Sequence, residues 1–291
     1  MRSMAARSHG RSFGSNEALA MTTAAPSPSA QPVPPWHSLE GKTIWITGGT
    51  GHLGAPITTA LDASCAKVVC IDLPGRAEAF ITQHRLQRTL PAAVDLCDVE
   101  RVRAGVAQLI DAHGVPDGVA HLVFASSSGS TLEDLPAETF AATLTRALPP
   151  TFEFCRALAE RMKPRGRGAF VLFASMYGVV VPDPRIYIDQ LTPNPIDYGA
   201  NKAALLQMMR YFAMHYGPSG IRFNCVTPGP FPNPRVQANN PRFIEQLGKK
   251  TILQRIGQNH EIVGPTLFLL TDSASFVTGH SLMVDGGWTT W

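Results

Sequence analysis

From Gly41 onward the chain alternates short apolar, β-branched runs with longer stretches in which apolar positions recur every three or four residues. The runs at 43–47, 67–72, 92–95, 119–124, 169–174, 222–226 and 281–284 predict strands. The stretches at 55–63, 99–113, 150–162, 197–216 and 261–271 predict helices. Strands that alternate with helices have to lie parallel, with the helices covering both faces of one sheet. The fold class expected is therefore α/β, a Rossmann-type doubly wound parallel sheet of about seven strands in a single domain, residues 39–291. Proline-rich segments at 181–195 and 228–234 read as long loops, and long loops in a compact domain usually carry function.

Residues 1–38 break the pattern. They are rich in Ala, Ser and Pro, with Pro26, Pro28, Pro32, Pro34 and Pro35 holding the chain extended, and they predict a disordered tail. Two readings stand for this tail: an organelle-targeting segment, or a start assigned too early, with initiation at Met4 or Met21.

Charge and composition narrow the function classes. The formal net charge is +3, of which the tail holds three arginines against one glutamate, so the body is close to neutral. No basic stripe suggests nucleic acid, and no apolar run reaches the ~20 residues of a membrane span. Five cysteines are widely spaced in apolar settings, which predicts reduced packing residues and a cytoplasmic location. No Cys/His spacing suggests a metal.

The first predicted strand runs into Thr47-Gly48-Gly49-Thr50-Gly51-His52-Leu53-Gly54, and a helix opens at Ala55. Glycines at such a turn let a diphosphate approach the amides at the helix N-terminus, where the dipole favours negative charge. Gly48, Thr50, Gly51, His52, Leu53 and Gly54 are the expected cradle. Asp72 ends the second predicted strand and is placed to accept bonds from adenosine ribose hydroxyls. A carboxylate there repels a 2′-phosphate and favours NAD over NADP, while Arg76 keeps NADP in play. Asp95, with Leu96, is placed for the adenine edge, although helix capping is an equal reading for Asp95.

Tyr198 and Lys202 stand one helical turn apart. A tyrosine titrates near pH ~10 in water and needs a neighbouring cation to exchange protons at neutral pH.

With Ser175, Thr227-Pro228-Gly229-Pro230 and the closing stretch at 278–287, these motifs are similar to those of the short-chain dehydrogenase/reductase family, in that family's order, over residues 39–291. The resemblance implies that Tyr198 exchanges the substrate's hydroxyl proton. Lys202 would lower the Tyr198 pKa and bind the nicotinamide ribose. Ser175 would bond the reacting oxygen, with strand-end capping as its other reading, and Pro228 and Gly229 would border the nicotinamide. The activity implied is NAD(H)-dependent interconversion of a secondary alcohol and a ketone. A non-catalytic dinucleotide sensor and a nucleotide-sugar epimerase or dehydratase are the alternatives.

Three departures from the family pattern stand out. His52 occupies a position where ordinary members have glycine. Val123-Phe124-Ala125-Ser126 replaces the usual Asn-Asn-Ala-Gly, and Arg146 falls where a proton-relay asparagine is common. The segment between Ser175 and Tyr198 is also longer than in ordinary members. Its polar side chains, with Tyr177, Arg185 and Tyr187 foremost, and Arg146 opposite, are the expected substrate contacts and suit a sugar-like or anionic molecule. Residues 230–248 are expected to form a mobile lid. The apolar girth of the 197–216 helix predicts a homodimer or homotetramer.

Overall fold

The computed structural model describes residues 37–291 apart from 65, 124, 128 and 190. The expected tail therefore lies, but for its last two residues, outside the described residues. So do Cys65 and Phe124, the latter the expected end of the fourth strand.

Seven parallel strands form one sheet in the order β3-β2-β1-β4-β5-β6-β7. They are β1 Thr43–Thr47, β2 Lys67–Asp72, β3 Thr89–Ala93, β4 Gly118–His121, β5 Gly168–Phe173, β6 Ile221–Pro228 and β7 Ser281–Val284. The helices among the described residues are α1 Gly54–Ala63, α2 Arg76–His84, α3 Val99–His113, α4 Ala137–Met162, α5 Ile196–Tyr216, α6 Pro234–Asn239, α7 Pro241–Lys250 and α8 Val263–Leu270. The doubly wound α/β expectation holds.

The central strands are apolar at almost every position because both faces are covered. One core joins Trp45, Val69, Val119, Phe170 and Phe223 to residues of α3, α4 and α5, with the Phe170 and Phe223 rings stacked at 4.1 Å. The other joins Ile44, Ile46, Val68, Cys70 and Val171 to α1 and α8. Each fully buried ring or branched chain contributes about 1.5–3 kcal/mol of apolar burial. Between the layers, His121 is wholly enclosed, bonded through Nδ1 to Thr47 Oγ1 at 2.9 Å and through Nε2 to Thr151 Oγ1 at 3.0 Å. Burial lowers its pKa to about 3, so it stays neutral and serves as a strut between β1, β4 and α4.

Three expectations change. The third strand runs Thr89–Ala93 rather than 92–95, since Pro91 is tolerated on this edge strand. α2 was absent from the sequence reading because it buries little beyond Ala77 and Phe80. α4 begins thirteen residues earlier than 150 and runs through Pro149 and Pro150. Their missing N–H groups leave the Thr145 and Arg146 carbonyls without an i+4 donor. Residues 230–248, the expected lid, contain α6 and most of α7.

Among the described residues no helix is long and apolar enough to cross a membrane, and no cluster of three or more His, Cys, Asp or Glu gathers as a metal site. Cys70, Cys97, Cys155 and Cys225 are unpaired thiols, and burial pushes Cys70 and Cys225 up to about 12.

Candidate active site

The strand order reverses between β1 and β4, which opens a crevice at the carboxyl ends of the strands. The glycine turn forms its floor. Gly48 has φ +66°, a left-handed conformation, and a Cβ on Gly54 would collide with the Gly48 carbonyl oxygen. The turn is closed by Gly51 N–H donating to Gly48 O at 3.1 Å and Ala55 N–H donating to Gly51 O at 2.8 Å. α1 has no side-chain N-cap and no acidic residue in its first turn, so its N-terminal amides and dipole face the crevice without a competing carboxylate.

Asp72 is bound to this turn. One carboxylate oxygen accepts from Thr50 N–H at 3.1 Å and Thr50 Oγ1 at 2.7 Å; the other accepts from Leu73 N–H and lies 3.8 Å from Arg76. Asp72, Leu73, Arg76, Asp95, Leu96 and Cys97 line a cavity of about 280 Å³. Asp95 accepts from Cys97 N–H and pairs with Arg101, both at 3.0 Å, while the cap of α3 is Asp98. Capping is therefore not the role of Asp95.

The second half of the crevice is a cavity of about 300 Å³ walled by the glycine turn, Ser175, Tyr198, Lys202, Pro228 and Gly229, with Phe231 and Asn233 on its far rim. The two cavities share Gly48, Gly51 and Leu122, so one elongated ligand can run over the turn through both. With an open cradle at Gly54 and a carboxylate at the end of β2, the residues fit a nicotinamide dinucleotide.

Ser175 follows β5 and its Oγ bonds the Tyr198 phenol as well as accepting from Tyr177 N–H at 3.2 Å. Lys202 Nζ donates to the Phe173 carbonyl at 2.6 Å and stands 5.7 Å from the Tyr198 ring centroid. Burial raises the Tyr198 pKa, with the Ser175 bond opposing it, and burial lowers Lys202 to about 8. Proton exchange at Tyr198 near neutral pH thus depends on a developing charge that Lys202 and Ser175 can stabilise.

The long segment before Tyr198 folds back over the site. Met176, Tyr177 and Ile186 form a small core with Leu247, Ile256 and Trp288, joined by Tyr187 and Phe243. Asp183 accepts from Lys250 at 2.7 Å and Asp189 from Arg242 at 2.7 Å, so this segment is tied to α7 at both ends.

Of the expected substrate contacts, none of the four lines the cavity at Tyr198. Arg146 is exposed on α4 and its side chain bonds the thiol of Cys97, which lines the cavity beside Asp72 and Asp95. Arg185 is exposed and held by its neighbour Asp183 at 2.7 Å. The Tyr177 and Tyr187 hydroxyls bond each other at 2.8 Å, and Tyr177 lines a separate, largely apolar cavity of about 680 Å³ with Asn194. Phe231 and Asn233 were missed. Asn233 caps α6 through Oδ1, and its one sequence signal is a polar residue between two prolines.

The family model described as Enoyl-(Acyl carrier protein) reductase matches residues 51–289. The chain belongs to the short-chain dehydrogenase/reductase family. This short-chain dehydrogenase/reductase is 31% identical to 2,5-dichloro-2,5-cyclohexadiene-1,4-diol dehydrogenase of Sphingobium indicum, over 86% of its own length and 98% of the relative's. It is 27% identical to NAD-dependent glycerol dehydrogenase of Listeria innocua, over 87% and 95%. Among solved structures, a short chain dehydrogenase from Leptospira borgpetersenii with bound NAD+ superposes with a TM-score of 0.75 at 28% identity, covering 87% of this chain and 94% of that one. The protein is an oxidoreductase acting on CH–OH groups.

Proposed function

We propose that this protein oxidises a small hydroxylated substrate to a ketone, or reduces the ketone, with NAD(H) as partner. The observation that carries the reading is the convergence of Ser175, Tyr198 and Lys202 on the cavity that also holds the glycine turn and Gly229. The nicotinamide supplies the hydride acceptor when bound. The protein's own residues supply the rest. Tyr198 takes the hydroxyl proton at its phenol oxygen, Ser175 Oγ donates to the oxygen on which charge develops, and the Lys202 ammonium lowers the cost of the phenolate. Pro228, Gly229 and Phe231 keep water from the reacting end.

NAD over NADP is supported by the Asp72 carboxylate on the adenosine cavity, where it would repel a 2′-phosphate. The dehydrogenases of glycerol, arabinitol and galactitol among the relatives support a polyol-like substrate. Phe152, Tyr211 and Met214, exposed on α4 and α5, support assembly of two or four copies through these helices. Buried, unpaired thiols agree with a reducing, cytoplasmic setting.

The test is turnover of a polyol panel followed at the reduced-nicotinamide absorbance, with Tyr198→Phe alongside. The substitution is expected to lower kcat by about 10²–10⁴ while NAD binding persists. Undiminished turnover would remove Tyr198 from the mechanism.

A further inference from the structure

Residues 255–259 brace both walls of the cavity at Tyr198 from behind. Asn259 Nδ2 donates to the His52 carbonyl on the glycine turn at 3.3 Å, and Gly257 N–H donates to the Pro230 carbonyl on the loop after β6 at 3.0 Å. The segment is itself pinned. Arg255 and Glu261 pair through two bonds of 2.7 Å each, Gln258 N–H donates to Glu261 at 2.8 Å, and Arg255 N–H donates to the hydroxyl of the buried Thr251 at 3.1 Å.

Gly257 does not have a positive φ, so its backbone makes no demand for glycine. Space makes that demand instead. A Cβ at 257 would lie 2.5, 2.6 and 2.8 Å from Cε1, Cζ and Cδ1 of Phe231, three neighbouring atoms on one edge of the ring. The half-buried Phe231 stands between two cavities, the one at Tyr198 in front and one of about 80 Å³ behind, which Gly257, Arg255 and Glu261 line with it. Because the 255–259 segment cannot recoil, bulk added at 257 has to be taken up by the ring. Away from Gly257, the ring moves toward Tyr198.

We propose that Gly257 is a positioning residue: lacking a side chain, it lets the Phe231 ring stand back from Tyr198 and so sets the room left for the nicotinamide half of a dinucleotide, an assignment that rests on reading the crevice as a dinucleotide site. Held at this depth, the ring closes the reacting end to water without intruding on it. A glycine that touches neither cofactor nor substrate thereby fixes the width of the slot.

The experiment titrates the full-length protein by calorimetry with NAD and with AMP, which spans only the adenosine end. Wild type is expected to bind both. Gly257→Ala should lose about tenfold in affinity for NAD and less than about twofold for AMP. Phe231→Trp, which adds ring bulk and leaves Gly257 intact, should show the same selective loss, and it carries the test alone if Gly257→Ala does not fold. Shortening the side chain relieves the clash, so Gly257→Ala/Phe231→Leu should bind NAD to within about threefold of Phe231→Leu. Wild-type NAD affinity in either single variant, an equal loss for AMP, or a double variant no tighter than Gly257→Ala overturns the Gly257 assignment alone. Failure of wild type to bind NAD overturns the dinucleotide reading and this proposal together.

Discussion

The fully buried carboxylate of Asp197 accepts two bonds from Ser127, from its N–H at 2.8 Å and from its hydroxyl at 2.7 Å. It thereby joins the first turn of α5, one residue before Tyr198, to the loop that leaves β4. Asp197→Asn sets an amide N–H₂ against one of the two donors and keeps a single acceptor atom for the other. A loss of about 1–3 kcal/mol is expected in urea unfolding. Unchanged stability would mean that the loop does not depend on this contact.

The Lys202 ammonium is a cost to the fold as well as a tool. Its pKa falls from 10.5 to about 8 in the folded protein, so between those values the unfolded chain holds more protons and stability rises with pH. The penalty is complete below about pH 8 and fades as pH approaches 10.5. Lys202→Met removes it at every pH. The stability difference, variant minus wild type, should therefore shrink by about 2–3 kcal/mol between pH 7 and pH 10. The Phe173 carbonyl left without its donor shifts both ends equally. A difference independent of pH would refute the lowered pKa.

Asp72→Asn keeps an acceptor for the Thr50 N–H and hydroxyl but removes the charge that faces the adenosine cavity. Steady-state kinetics with both cofactors should show the kcat/KM ratio moving toward NADP by about tenfold or more. If the ratio stays put, Arg76 rather than Asp72 governs the choice.

Lys250→Ala and Arg242→Ala each cut one tie between α7 and the segment before Tyr198. Arg242 is exposed and Lys250 partly buried, and exposed ion pairs contribute little to stability. The expectation is a raised substrate KM with a nearly unchanged melting temperature. A large fall in melting temperature with KM unaffected would assign these pairs to structure alone.

The framework was legible in the apolar runs. β1, β2, β7 and α3 have the bounds that their apolar runs and the Asp98 cap predict. Legibility failed where local signals compete with context. Pro91 hid an edge strand, Pro149 and Pro150 mimicked a helix start inside α4, and α2 buries too little to show a period. In the site, residues set by strand ends and helix turns came together as the sequence implied: Gly48, Asp72, Ser175, Tyr198, Lys202 and Gly229. Residues judged by polarity within a loop did not. A long side chain such as Arg185 pairs with its nearest carboxylate, and no pattern in sequence says which way an inserted loop will fold.

The strand order also separates the molecule's two recognitions along the chain. Apart from the shared Leu122, and Val123, the residues lining the cavity at Asp72 all precede position 98, whereas the cavity at Tyr198, beyond the shared turn and Leu122, is walled by residues after 172. A single recombination point in the stretch 114–117, between α3 and β4, would exchange this lining, Leu122 and Val123 excepted, for that of another member of the family. Under the function proposed above, the choice between NAD and NADP would then be exchangeable separately from the choice of alcohol.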